Sequence, residues 1–213
     1  MQEPLRVVMV SETYPPEVNG VARTVAMIVE GLRALGHDLK LVRPRQGPAD
    51  RAQDEQGFGE MLRPGMPIPR YSQLRMGLPS GRALMQACRQ SRPDIVHIAT
   101  EGPLGWSALS AARALGRPVA TDFRTNFGAY SSHYGFGWIA PAVTAYLRAF
   151  HNRADCTMVP TEEMALGLGR QGFQNLRVVG RGVNTSAFTP SRRDPARRQF
   201  WSAPDDAPVA LCV

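Results

Sequence analysis

Long apolar runs are missing from this chain. None approaches the roughly 18 consecutive apolar residues of a bilayer-spanning helix. The N-terminus MQEPLRVVMV has no basic region followed by an extended apolar stretch, so no secretory leader is legible either. Both absences point to a cytoplasmic protein. Cysteine is scarce: Cys88, Cys156 and Cys212 are odd in number, far apart and set in apolar patterns, which suits buried thiols in a reducing compartment rather than disulfides or a metal site. No Asp-x-Asp and no histidine cluster of ligand spacing occurs, so no metal is expected. Two phosphate-binding motifs are lacking as well. No G-x-G-x-x-G follows the first strand-like run and no G-x-x-x-x-G-K-[ST] occurs anywhere, which argues against an ordinary NAD domain and a P-loop NTPase.

Lysine is nearly absent too. Lys40 stands alone, so arginine carries almost all of the formal charge of +7. Such a surface suits phosphate, nucleic acid or an anionic membrane, or reflects only arginines scattered along the chain. The densest cluster, RRDPARR at 192–198, has no interleaved aromatics and no recognised binding motif. It reads as a solvated linker, and no nucleic-acid partner is expected.

What is present is a soluble globular composition, 43% hydrophobic and 20% charged, in 213 residues that suffice for one sizeable core. RVVMV at 6–10 is an almost continuous apolar run, as a strand buried on both faces requires. Val21, Val25, Ile28, Val29, Leu32 and Leu35 follow at helical spacing, with Asn19 placed to cap the helix and Gly36 to end it. The pattern continues with a strand at 38–42, a loop from Pro44 to about Pro69 rich in glycine, proline and charge, and a helix from a Ser80 cap to about Ser91. After it come the strand IVHI, a helix over Leu104–Leu115, the strand VATDF, a helix from about Trp138 to Phe150, the strand CTMVP, a helix over Thr161–Arg170 and the strand LRVV. Strands alternating with helices predict an α/β fold, a doubly wound parallel sheet covered on both faces.

Ligands of such sheets gather at the carboxyl ends of the strands. That rule selects Ser11–Gly20, Thr100–Gly105, Asp122–Tyr134 and Thr161–Glu163. In SETYPPEVNGVARTV, Gly20 leaves the backbone bare at a helix N-terminus, where amides and the helix dipole favour phosphate. The same Asn-Gly pair would also serve simply as a turn and a cap.

The segments RVVMVSETYPPEVNGVARTV, VHIATEGPLGW, ATDFRTNFGAYSSHYG, FHNRADCTMVPT and VVGRGVNTSAFTP, in this order over nearly the whole chain, resemble the N-terminal domain of retaining glycosyltransferases of family 4. The resemblance is strongest to bacterial mannosyltransferases and glycolipid-forming glycosyltransferases. It implies a Rossmann-like fold, the N-terminal half of a GT-B two-domain architecture. It also implies hexosyl transfer from a UDP- or GDP-linked sugar to a lipid or glycan hydroxyl, with no cofactor. On this likeness residues 1–188 form the acceptor-side domain, 189–207 a linker, and 208–213, where APVALCV opens a fresh apolar run, the start of the donor-binding domain.

Residue by residue, the resemblance places Asn19 and Gly20 beside the donor diphosphate, although many relatives have a double glycine there. Arg124 stands where many relatives have histidine. Arginine cannot shuttle a proton near neutral pH but binds phosphate or sugar oxygens bidentately, so Arg124 is assigned positioning and charge stabilisation, with Asp122 as its companion. An ion pair between the two would account for both without any role in the site. Glu101, Thr125, Tyr130 and His133 are the expected acceptor contacts. Arg63, Arg70 and Arg75, with the aromatic helix carrying Arg148, suggest either peripheral contact with anionic lipid or an ordinary core-facing helix beside a solvated loop. The alternative from a different class is a non-catalytic module that binds an acceptor or an anionic lipid.

Overall fold

The structure, a computed structural model, describes residues 3–68, 71–124, 140–204 and 206–210. Its centre is an eight-stranded sheet in the order β10-β9-β8-β7-β1-β2-β4-β3. The strands are β1 (Arg6–Val10), β2 (Asp38–Pro44), β3 (Asp54–Glu55), β4 (Phe58–Arg63), β7 (Ile95–Ile98), β8 (Val119–Asp122), β9 (Cys156–Val159) and β10 (Leu176–Val178). Every pairing is parallel except the edge pair β3–β4. A separate antiparallel hairpin joins β5 (Gly65–Ile68) to β6 (Tyr71–Gly77). The helices are α1 (Gly20–Ala34), α2 (Gly81–Ser91), α3 (Pro103–Ala114), α4 (Ala140–His151), α5 (Glu162–Arg170) and α6 (Pro195–Phe200). The expected Rossmann-like, doubly wound class is the one found.

The central strand shows why its sequence is apolar throughout. Val7 and Met9 face a cluster with Val25 and Val29 of α1 and Leu39 and Leu41 of β2. Val8 and Val10 face the opposite layer, with Leu84 of α2, Leu104 and Leu109 of α3, and Ile98 of β7. Each such buried side chain contributes about 1.5–3 kcal/mol, so neither face of β1 has room for a polar residue. A third cluster, Phe123, Leu147, Val159, Leu168 and Phe173, seats α4 and α5.

Helix ends follow the expected chemistry at α1 and α5. Asn19 Oδ1 accepts from the Ala22 amide at 2.8 Å, and Thr161 Oγ1 accepts from the Met164 amide at 3.1 Å. Ser80 precedes α2 as expected but does not cap it: its hydroxyl donates to the Leu78 carbonyl at 3.0 Å.

The loop expected over 44–69 is a correction. Residues 54–63 form β3 and β4, and β4 extends the main sheet beside β2. Phe58 is buried in the core, and Gly57, at φ +72°, turns the chain between the two strands. In the aromatic helix Phe150 is fully buried in the core, Tyr146 is exposed, and Arg148 donates to the Gln171 carbonyl at 2.9 Å. Trp138 and Arg70 lie outside the described residues.

Met1–Gly180 form one compact unit and Arg181–Val213 another. In the second, Asp194 caps α6 by accepting from the Ala196 amide at 3.0 Å, and Arg198 donates to the carbonyls of Pro204 and Ala207.

Two glycines test the packing in opposite directions. A Cβ at Gly31, inside α1, would meet nothing within 4 Å, whereas one at Gly105 would fall 2.1 Å from the Thr100 carbonyl oxygen. Gly31→Ala should raise unfolding free energy by about 0.5–1 kcal/mol. Gly105→Ala should lower it by about 1–3 kcal/mol. Urea denaturation of both variants checks this, and equal effects would contradict the packing described.

Candidate functional site

The strand order reverses between β1 and β7. From β1 the chain winds outward through β2 and β4, then crosses back to β7 and winds the other way through β8, β9 and β10. In open α/β sheets such a reversal opens a crevice at the carboxyl ends of the strands. The loops after β1 and β7 meet there: the Glu12 amide donates to Thr100 Oγ1 at 2.8 Å.

Glu12 itself turns inward. It is 7% exposed, and its carboxylate accepts from the Gly77 amide at 2.5 Å and the Leu104 amide at 2.9 Å, at the N-terminus of α3. Burial pushes its carboxyl up from the usual range, the amides of Gly77, Leu104 and Gly105 pull it back, and nearby Glu101 pushes it up again. The net direction is upward.

On the other side of the reversal, β8 ends in a buried ionic group. His97 Nε2 of β7 lies 2.9 Å from Asp122 Oδ2, and Arg124 donates to the same oxygen from Nε at 3.0 Å and from Nη2. The three side chains are 6, 8 and 10% exposed. Burial would push the Asp122 carboxyl up, but the hydrogen bond and field of His97, with those of Arg124, outweigh it and hold the carboxyl below its usual range. The pair with Asp122 fixes one edge of the guanidinium and leaves Nη1 outside it.

Glu101 leads into a second buried chain. Its Oε1 is 3.4 Å from His151 Nε2, His151 Nδ1 is 2.9 Å from Thr121 Oγ1, and Thr121 is 2.9 Å from Thr157 Oγ1. The carboxylate expected at the acceptor therefore also braces α4 against β8 and β9, and the Glu101 carbonyl accepts from the Tyr146 hydroxyl at 2.5 Å.

The side chain of Asn19 is engaged by the fold: besides capping α1 it donates from Nδ2 to Thr13 Oγ1 at 2.7 Å. A Cβ at Gly20 would meet nothing within 4 Å, so packing does not require glycine there. Thr125, Tyr130 and His133 lie outside the described residues. Among the described residues no group of three or more His, Cys, Asp or Glu could hold a metal ion. No described helix is long and apolar enough to cross a membrane. Glu12, His97 and His151 were not singled out from sequence. A polar residue inside the apolar run IVHI was the available signal for His97, because a buried polar group needs a partner.

Asp122 predicts an acid response. Its folded-state pKa is lowered, so the unfolded chain takes up the proton first. The stability contributed by the ionised carboxyl is complete above the ordinary carboxylate range and is lost as pH falls through that range towards the folded value. Asp122→Asn should cost about 3–5 kcal/mol near neutral pH, the range for removing one partner of a buried pair, and should flatten the acid limb of the stability curve. Urea denaturation across that limb is the measurement, and an unchanged limb would contradict the assignment.

Residues 18–187 match the family model Glycosyltransferase Family 4. A GDP-mannose-dependent alpha-mannosyltransferase of Mycolicibacterium smegmatis is 35% identical over 209 residues, covering 96% of this chain and 55% of that protein. A sulfoquinovosyl transferase of Arabidopsis thaliana is 24% identical over 202 residues, 93% of this chain and 39% of that protein. The chain thus spans about half, or less, of the length of these curated relatives. In fold it is similar to a sucrose-phosphate synthase from Thermosynechococcus elongatus, with a TM-score of 0.63 at 13% identity over 96% of this chain and 54% of that one. With the family model matched over most of its length and a relative above 30% identity aligned almost end to end, the chain belongs to glycosyltransferase family 4.

Proposed function

We propose that this chain is the acceptor-side half of a retaining hexosyltransferase. The enzyme moves a sugar from a nucleotide-diphosphate donor to a hydroxyl of a lipid or glycan. GDP-mannose is the donor favoured by the name of the mannosyltransferase relative, and a glycolipid product is favoured by that of the sulfoquinovosyl transferase. The observation that carries the reading is the placement of the α1 N-terminus and the Asp122–Arg124 pair on one carboxyl edge, either side of the strand reversal. On this reading residues 1–188 hold the acceptor, 189–207 link, and 208–213 open the donor-binding domain.

The chemistry then needs little from the protein beyond placement and charge. The bare backbone at Gly20 and the positive end of the α1 dipole stabilise the diphosphate as it leaves. The leaving oxygen takes the proton of the acceptor hydroxyl, which attacks on the same face. Arg124, held by Asp122 and thereby by His97, keeps Nη1 for a phosphate or sugar oxygen. Glu101, Thr125, Tyr130 and His133 are assigned to the acceptor.

Arg124 and Gly20 test the proposal in the full-length enzyme, with folded molecules titrated before assay. Turnover should fall in the order wild type, Arg124→Lys, Arg124→Ala, the last by about thirtyfold to a thousandfold for a charge-assisted contact in a closed site. Gly20→Ala should leave the melting temperature unchanged and raise the donor KM about tenfold, the loss of one backbone contact. If turnover per folded molecule is unchanged in Arg124→Ala, the pair with Asp122 is structural and Arg124 leaves the site.

A further inference from the structure

We propose that the cleft between the ends of β2 and β4 and the β5–β6 hairpin is an anion subsite that takes a phosphoryl group. It encloses about 560 Å³, with Arg45, Arg63 and Arg75 on its walls and Leu62, Pro48 and Pro64 between them. The three arginines come from separate elements that the backbone locks together. Arg45 follows β2 and its amide donates to the Arg63 carbonyl at 2.9 Å, while Arg75 reaches across from β6, where Nη1 lies 3.4 Å from the Gly65 carbonyl.

The neighbouring carboxylates have their hydrogen bonds elsewhere, although Arg45 Nη1 donates to the Asp50 carbonyl at 2.6 Å and, beside the hydrogen bond from Arg43, its charge helps hold the Asp50 carboxyl below its usual range. Asp50 and Glu60 hold Arg43, at 2.7 and 3.0 Å, and Glu17 accepts from the Gln46 side chain at 2.8 Å and from the Arg75 backbone amide at 3.1 Å. Among the described residues none of the three cleft guanidiniums forms an ion pair with a carboxylate within 4.0 Å. Arg63 Nε is buried and has no hydrogen-bond partner among the described residues. A buried donor without an acceptor is costly, and three like charges on the walls of one cleft add repulsion. One tetrahedral oxyanion in the cleft relieves the crowding of like charge, because guanidinium forks match phosphate oxygens. The apolar wall of Leu62 and the prolines suits the carbon skeleton that carries the phosphate.

Strand spacing places this cleft three to four strands from Asp122, about 15–20 Å along the edge. That is too far for a phosphoryl group in the cleft to touch Arg124. Phosphate binding does not depend on glycosyl transfer. Only the further role, anchoring the remote part of a phosphate-bearing acceptor, rests on the function proposed above.

Binding is measured on the chain itself, with no transfer assay. The probes are inorganic phosphate, glycerol 3-phosphate, and vesicles of phosphatidylcholine with and without phosphatidylglycerol. Saturable binding of a phosphate probe is expected, weakened at least about tenfold by Arg63→Gln or Arg75→Gln. The double exchange Arg82→Gln with Arg89→Gln, on the exposed face of α2, removes as much charge as any two cleft substitutions and should leave binding intact. Arg45→Gln, at an exposed position, keeps the test open if the other cleft variants do not fold. Binding only to vesicles containing phosphatidylglycerol, lost in the same variants, identifies a lipid headgroup. Binding only to the soluble probes identifies a soluble phosphorylated ligand. No saturable binding to any probe, binding retained in the cleft variants, or equal loss in the α2 control overturns the proposal.

Discussion

Glu12 places a carboxylate where the strand order reverses, and much of the edge follows from what that group requires. A buried carboxylate needs several donors or it is lost to its desolvation cost. Here the donors are backbone amides, from Gly77 at the end of the hairpin and from Leu104 in the first turn of α3. The α3 dipole adds its positive end. The carboxylate thus ties the chain just after β1 to two segments 65 and 92 residues away. The price is steric: a Cβ at Gly102 would stand 2.1 Å from Glu12 Oε1, so only glycine allows the α3 N-terminus to come so close.

The same logic organises the rest of the edge. Arg43, with a side chain only 5% exposed, is held by Asp50 and Glu60, and these contacts hold its proton more tightly than usual despite burial. Asp122 is held by His97 and Arg124. In each case a charge taken out of water is satisfied by more than one partner, and an interior with satisfied polar groups has fixed geometry. The transfer proposed above, which depends on placement, would benefit from such rigidity.

The parts legible in the sequence are those whose cause is local. β1 reads as a strand because both its faces are buried, and α1 reads as a helix because its apolar spacing, Asn19 and Gly36 agree. β4 was hidden by its own function in the core. FGEMLR looks polar because Glu60 is charged, yet the Glu60 side chain is 1% exposed as the partner of Arg43, a pairing that no window of sequence displays. The hairpin was hidden for a different reason: it stands outside the main sheet, and Pro67 and its glycines mimic loop composition. At the site, Asp122 and Arg124 were visible as neighbours two residues apart on the chain. His97, 25 residues away, was not.

Lysine scarcity takes on a physical sense in this setting. Arg43 bonds Asp50 and Glu60 together and also reaches the Pro44 carbonyl. Arg124 meets Asp122 through Nε and Nη2, and Nη1 takes no part in that pair. Both tasks need a planar fork whose donors point in different directions, and an ammonium group offers a point charge instead. An arginine fixed by one partner on one edge still presents the other edge. Buried ionic groups that must stay rigid, and the cation the proposed function asks of the carboxyl edge, are therefore better served by arginine than by lysine.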